Sequence, residues 1–352
     1  MPISNDVIQR LRSALQAAGH PAADQPLVPL PDKGLAHDHV RLQGTGWLAR
    51  IPKQSQLGLA ALDNLHYQRA CFERAAASGH TPVLHGVLPP SEHLPRGALL
   101  VQAIEGRPAR LPHDLSALAS ALAALHALPL PEAAARAPLL NAADPLLALE
   151  QEINAQATHL GSVRLPSVVF TAIERERERF HDTVRGTNRP ARCLIAFDAH
   201  PGNFIVQPDG RAVLVDLEKC RYAHPGLDLA HATLYTSTTW DVETQAVLSV
   251  DEVLGFYATW AQSVGPIATA AQAWHGVLRR AMWLWSITWC AKWRAVSSVA
   301  ARAGADGEDW SSERSEAALV GHVRNRVDHY LSAEVVDAVL DGFDRFERGL
   351  SA

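Results

Sequence analysis

The 352-residue sequence predicts an α+β protein of two lobes, a small lobe of antiparallel β-strands and a larger, mostly helical one. Three observations carry this reading. Short apolar runs separated by turn residues crowd into residues 27–104. Helical spacing of apolar residues dominates from about residue 112 onward. One strand-like segment, CLIAFDAHPGNFIVQPDGRAVLVDLEK (193–219), interrupts the helical part. The length exceeds what one small core needs and suits two lobes.

In chain order, Ser4-Asn5-Asp6 supplies capping residues for a first helix with Val7, Ile8, Leu11 and Leu15 on its apolar face, ending at Gly19. LVPL, HVRLQ and GWLARI then read as strands, with Gly44-Thr45-Gly46 as a hairpin turn between the last two. Residues 57–78 read as one helix closed by Gly79, after which HGVLP and ALLVQAI return to strand. Glu105-Gly106-Arg107-Pro108 breaks the pattern and marks the boundary, so residues 1–106 form the small lobe and 107–352 the large one. In HDLSALASALAALHALP, Leu115, Leu118, Leu122 and Leu125 recur at helical spacing. Further helices are expected over about 144–160, 166–185, 250–262, 267–302 and 312–348, with the hairpin 193–218 as the only strand insertion. No repeat or Gly/Ser linker is visible.

Composition excludes several classes. Hydrophobic residues make up 47% and charged residues 20%, which is globular. A net charge of -5 speaks against a nucleic-acid binder. The N-terminus lacks the layout of a signal peptide, and AMWLWSITWCA is too short to span a bilayer, so no membrane partner is expected. The four cysteines, Cys71, Cys193, Cys220 and Cys290, show no zinc spacing and suit the cytoplasm.

The hairpin carries the chemistry. An Asp on a loop accepts a proton from a hydroxyl. An Asn five residues on and a second Asp beyond the next strand offer hard oxygens to a cation such as Mg²⁺, which is usually held by one or two carboxylates, waters and substrate phosphates. That is the equipment of phosphoryl transfer. For Asp198 alone, a turn-capping role is the plain alternative. Its companions Asn203 and Asp216 outweigh it.

The order of these parts, Asp198-Ala-His200-Pro201-Gly202-Asn203, then Val215-Asp216-Leu217-Glu218, then Pro225-Gly226-Leu227-Asp228-Leu229-Ala230, resembles the aminoglycoside phosphotransferase and choline kinase-like family. LLVQAIEGRPA resembles its strand-to-hinge segment, GWLARIPK its phosphate-binding strand, and the resemblance runs over about residues 27–240. It implies a bilobal protein-kinase-like fold with a hinge near 102–106. It also implies an ATP-dependent (or GTP-dependent) kinase using Mg²⁺ to phosphorylate a hydroxyl of an amino alcohol, sugar or aminoglycoside-like acceptor. By position, Asp198 matches the catalytic aspartate and His200 a donor near the transferred phosphate. Asn203 and Asp216 match the metal ligands. Gly34 matches the phosphate-covering turn and Arg50 the small-lobe cation. Gln102 and Ile104 stand where backbone groups meet the adenine.

Arg50 is preferred over Lys53 because it alternates in phase with Leu48, whereas Lys53 follows Pro52. Trp240 and Asp241, just after the hairpin, are the candidate acceptor residues. Trp285, Trp289 and Trp293 are expected as a core-facing helix stripe, His37 and His39 as polar loop residues, and Asp228 as a structural brace that caps a helix. The chain departs from the family in three places. Ala196-Phe197 replaces the usual His-Gly. Gln68 stands where the small-lobe helix usually brings a Glu, with Glu73 out of register. The glycine turn holds a single Gly. The rival readings are a nucleotide-binding scaffold without catalysis, a transferase on a protein acceptor, and an adenylyl transferase.

Overall fold

The computed structural model describes residues 5–31, 36–297 and 317–351. The described residues fall into two units: 5–76, 82–104 and 317–323 form the first, and 77–81, 105–297 and 324–351 the second.

The first unit is built on an antiparallel sheet of five strands, β1 Leu27–Pro29, β2 His37–Leu42, β3 Trp47–Pro52, β4 Leu84–Leu88 and β5 Ala98–Gln102, in the order β1-β2-β3-β5-β4. Helix α1 (Asn5–Ala17) lays Leu11, Ala14 and Leu15 onto Val40, Leu42, Ala49 and Leu100 of the sheet, so its apolar face and one sheet face share a core. The β2–β3 hairpin turns at the expected Gly44-Thr45-Gly46, where the Thr45 hydroxyl donates to Leu42 O at 2.8 Å. Helix α2 (Ala61–Ala75) starts four residues later than its apolar pattern suggests, because the chain takes a left-handed turn at Gly58 (φ 66°) before it. His37 and His39 lie on β2, not in a loop. His37 is buried and its Nε2 is 3.0 Å from Gln68 Oε1 of α2.

The second unit is helical around two small sheets. β6 Arg107–Pro108, β8 Phe204–Val206 and β9 Ala212–Leu214 form one, and β7 Cys193–Ile195 pairs with β10 Arg221–Ala223 in the other. β6 lies where the sequence shows only a break, and β10 beyond the quoted hairpin. At two and three residues, neither is long enough to display a pattern. The helices are α3 Leu115–His126, α4 Pro145–Ala157, α5 Ser167–Arg185, α6 Pro225–Thr233, α7 Tyr235–Thr238, α8 Val250–Val264, α9 Ile267–Gln272, α10 His275–Ser297, α11 Ala317–Tyr330, of which only residues 324–330 belong to this unit, and α12 Ala333–Ser351. The two longest expected helices each divide, at Ala273-Trp274 and at Leu331-Ser332; residues 298–302 and 312–316 of those expectations lie outside the described residues. Helix α8 opens on a capping box, with the Ser249 hydroxyl accepting from Glu252 N and the Glu252 carboxylate accepting from Ser249 N.

Long α10 is the axis of this unit and packs against α4, α5, α6 and α12. Its approach to α6 is close: a Cβ on Gly226 would stand 2.7 Å from Leu278 Cδ1, so glycine at the start of α6 is what lets the two helices meet. Arg280, in mid-α10, holds Glu176 of α5 and Asp344 and Glu347 of α12. A paired, buried charge of this kind fixes helix register more than it adds stability. Among the described residues no helix is long and apolar enough to cross a membrane, and the four cysteines are buried and unbridged.

His275, at the start of α10, packs edge-on against Tyr257 (4.8 Å) and Trp260 (5.8 Å), and burial lowers its pKa to about 4. The unfolded chain takes up this proton near the ordinary histidine value of about 6.5. The group's full contribution to stability is therefore present above pH ~6.5 and is lost as the pH falls toward about 4. Urea melts of the wild type should lose stability across that window, and His275→Phe should show a shallower slope there. Equal slopes in the two proteins would clear His275 of this role.

Candidate functional site

The quoted segment folds as strand β7, a loop, a short turn and the β8–β9 hairpin. Its loop is anchored from α6. The Asp228 carboxylate accepts from the backbone N–H of Ala196 (2.7 Å) and of Phe197 (2.8 Å), and its Oδ2 also lies 3.1 Å from His126 Nε2. Trp260 Nε1 donates to His126 Nδ1 at 3.0 Å. Since an indole only donates, the His126 proton sits on Nε2 and points at Asp228. Asp228 is fully buried and acts as a brace of the loop; it lies in the first turn of α6 and is not its N-cap, which is His224.

Phe197 is the only non-glycine residue with positive φ (62°) among the described residues. This backbone region costs an L-residue about 1–2 kcal/mol. The ring offsets that cost. It is buried, with the Arg221 guanidinium 3.7 Å over its centroid and the Trp285 ring edge-on at 5.1 Å. Glu152 ties the two partners together, accepting from Arg221 NH1 at 2.6 Å and from Trp285 Nε1 at 3.1 Å. The departure from the family's His-Gly thus has a physical account. The backbone keeps a conformation natural to glycine, and a slot between a cation and an indole holds the side chain.

The structure brings Asp198, His200, Asn203 and Asp216 around one end of the hairpin. Phe204 pairs with Leu214, and Val215 N donates to Asn203 O at 2.9 Å, so Asn203 and Asp216 leave the β8–β9 ladder at the same end. Asn203 Nδ2 donates to Asp198 O at 2.8 Å, which commits its nitrogen to the loop and leaves Oδ1 as its metal-type donor. His200 Nδ1 accepts from Gly202 N at 3.2 Å. No group of three or more His, Cys, Asp or Glu converges as a metal cage among the described residues.

Two further residues crowd Asp198, neither singled out by the sequence reading. Lys219 Nζ donates to Asp198 Oδ2 at 2.9 Å, and His231 Nδ1 faces Oδ1 at 3.8 Å. Burial pushes the Asp198 carboxyl upward, but Lys219, with His200 and His231, outweighs it and holds the group below its ordinary range, while Asp216 opposes them. Burial lowers His231 to about 4. A signal for His231 was present: it stands three residues after Asp228, on the same helix face. Lys219 closes the quoted segment, where a charge after a strand reads as solvated.

Asp241 lies beside the loop. A Cβ on Gly202 would meet Asp241 Oδ2 at 2.7 Å, so glycine is what admits the carboxylate there. Asp241 Oδ1 accepts from Glu243 N at 2.7 Å. The Trp240 ring packs with Trp289 at 5.9 Å and Tyr330 at 6.3 Å. The tryptophan stripe of α10 is therefore not purely core. Trp293 is buried, Trp289 meets Trp240, and Trp285 meets Phe197 with Lys219 Nζ 5.9 Å from its ring.

The remaining candidates belong to the first unit. Arg50 is a buried residue of β3, with its guanidinium 5.7 Å from the Phe72 ring of α2. Lys53 follows the end of β3 and stands 3.8 Å from Asp38. Gln102 ends β5, and its N–H donates to Val83 O at 2.8 Å. Ile104 follows it, half-buried. Gly34 lies outside the described residues.

A five-stranded antiparallel sheet unit and a helical unit carrying this hairpin define the protein-kinase-like class of phosphotransferase folds. The profile of the Phosphotransferase enzyme family (APH) matches residues 28–264, more than half of the chain, and the chain belongs to that family. No curated protein matches it in sequence. Among solved structures, it resembles a choline/ethanolamine kinase family protein from Mesorhizobium loti at 15% identity and TM-score 0.58, covering 98% of each chain. It resembles a choline kinase from Streptococcus pneumoniae at 14% identity and TM-score 0.56, covering 96% of this chain and 99% of that one. An ADP-bound aminoglycoside phosphotransferase matches at 14% identity and TM-score 0.51, over 95% of this chain and 99% of that one. At these identities the likeness is one of fold.

The Phe197 slot is open to test by melting. Phe197→Ala keeps the backbone cost and loses the ring, so it should destabilise by about 3–5 kcal/mol. Phe197→Gly loses the ring but relieves the backbone, and should melt above Phe197→Ala by about 1 kcal/mol in stability. An alanine variant at least as stable as the glycine variant would contradict the strained conformation.

Proposed function

We propose that this phosphotransferase moves the terminal phosphoryl group of ATP, with Mg²⁺, to a hydroxyl of a small amine-bearing molecule such as an amino alcohol or aminosugar. The observation that carries the reading is the joint placement of Asp198, Asn203 and Asp216, a base and two hard oxygen donors at one end of a braced hairpin. Nucleotide use accords with the family and with the ADP-bound relative.

Asp198 acts as the base, accepting the hydroxyl proton as the new bond to phosphorus forms. Lys219 keeps it ionised without occupying both of its oxygens. With Nδ1 accepting from Gly202 N, His200 has Nε2 left to donate to the transferred group. Asn203 Oδ1 and the Asp216 carboxylate would hold Mg²⁺, which supplies charge neutralisation on the phosphates when bound. On the nucleotide side, the family resemblance assigns Arg50 to the phosphates; Gly34, its other phosphate residue, lies outside the described residues. The family resemblance assigns the adenine to the Gln102 carbonyl and the Ile104 backbone, and the Gln102 N–H is already engaged by Val83 O. Asp241 offers a carboxylate, and Trp240 an aromatic face, to an amine. The choline, ethanolamine and aminoglycoside acceptors named for the relatives' families all bear a cationic nitrogen, a quaternary ammonium in choline and a protonated amine in the others. Four buried, unbridged thiols fit a reducing cytoplasm. A scaffold without catalysis would have no use for the ionised base.

Thermal shift with ATP or GTP, with and without Mg²⁺, tests the reading. A ligand at about 100 times its Kd stabilises by about 2.7 kcal/mol, a rise of several degrees. The rise should require Mg²⁺ and vanish in Asp216→Asn. Asp198→Asn should keep the rise but lose turnover by about 10²-fold or more. No shift with either nucleotide would sink the kinase reading and the nucleotide-binding scaffold with it, whereas a Mg²⁺-dependent shift without turnover of any acceptor would favour the scaffold.

A further inference from the structure

The two oxygens of the Asp198 carboxylate have different surroundings. Oδ2 is taken by Lys219 Nζ at 2.9 Å, whereas Oδ1 faces His231 Nδ1 at 3.8 Å. That separation is too long for a hydrogen bond. His231 is 8% exposed, and its Nδ1 is buried with no hydrogen-bond partner. Buried polar groups are satisfied as a rule, so an orphan aimed at a catalytic carboxylate calls for an explanation. The helix that carries the ring is held in place, since α6 is locked to the loop through Asp228 and to α10 through the Gly226 contact.

We propose that Asp198 Oδ1 and His231 Nδ1 together form the seat of the acceptor hydroxyl, with His231 as a second contact that orients it. One oxygen about 2.8 Å from both atoms would span the 3.8 Å between them, and because Nδ1 is fully covered the ring must turn slightly to admit it. A hydroxyl has one proton and two lone pairs. It donates the proton to Asp198 Oδ1 and accepts from the Nδ1–H of neutral His231, which turns its second lone pair toward the phosphoryl group. When that pair bonds to the terminal phosphorus, the bond from phosphorus to the β-phosphate oxygen breaks. The nucleoside diphosphate leaves with those electrons, and the hydroxyl proton passes to Asp198. His231 keeps its own proton throughout. Its low pKa, set first by burial, leaves it neutral near pH 7, so it supports the hydroxyl without competing as base. The inference rests on the phosphotransfer reading and adds to it a residue on the acceptor side.

The test compares three substitutions by the atom they retain. Asn sets its amide near the place of Nδ1, Gln sets its amide near the place of Nε2, and Leu retains neither. Turnover of ATP with Mg²⁺ is measured with water as acceptor and with ethanolamine and choline as probes, alongside the nucleotide thermal shift. His231→Leu and His231→Gln should lower kcat by about 10²-fold with the KM for ATP and the thermal shift unchanged. His231→Asn should recover to within about fivefold of the wild type, a rescue that a packing role would not give. Equal turnover in His231→Leu and wild type, rescue by Gln in place of Asn, or a loss confined to the KM for ATP would overturn the seat alone. A wild type that binds nucleotide but turns over neither water nor a probe also counts against the seat. A wild type with no nucleotide shift overturns the phosphotransfer reading itself. If His231→Leu does not melt cooperatively, the Asn and Gln pair decides, since both keep a polar side chain of similar size.

Discussion

One carboxylate holds the second unit's chemistry in place. Asp228 is fully buried on a short helix and accepts from two consecutive amides of the loop that leads to Asp198, while His126, oriented by Trp260, satisfies it from behind. A buried charge is tolerated only when hydrogen bonds replace its hydration. Here those bonds come from two segments, the loop after β7 and helix α3, and Trp260 of α8 orients the α3 donor, so these elements are committed with α6 to one arrangement. Asp198 points where it does because the amides before it are already spoken for.

Around that anchor the site divides its labour. Hairpin ends align Asn203 with Asp216 through one backbone hydrogen bond, and the Asn203 amide returns to Asp198 O, so base and metal-type donors share a framework. Lys219 and His231 approach the carboxylate from the segments that follow, one as a charge and one as a neutral ring. Low-dielectric surroundings strengthen each of these interactions and raise the cost of any left unmade.

Much of this was legible from short-range order. Asp198, Asn203 and Asp216 lie within one hairpin, so spacing and turn chemistry alone place them together. The α+β division was legible too, because alternation and helical spacing occupy different stretches. What escaped the sequence came from long-range packing. His231 matters only because α6 docks against the loop. The two-residue strand Arg107–Pro108 exists through its partner β8, not through its own composition. His37 looks like a loop residue until its strand position buries it against Gln68 of α2. Phe197 looks like a defect until Arg221 and Trp285, distant in sequence, are seen to enclose its ring.

That enclosure has a consequence for how the chain can change. Restoring a glycine at 197 frees the backbone but strands a guanidinium and an indole around an empty slot, and trimming either neighbour strands the ring. Residues in such direct contact do not contribute independently. Positions 152, 197, 221 and 285 are therefore expected to vary as a set, and single steps between this arrangement and a His-Gly loop pass through variants worse than either end. The residue that looks least suited to the loop is thus the one whose neighbours make any single replacement costly.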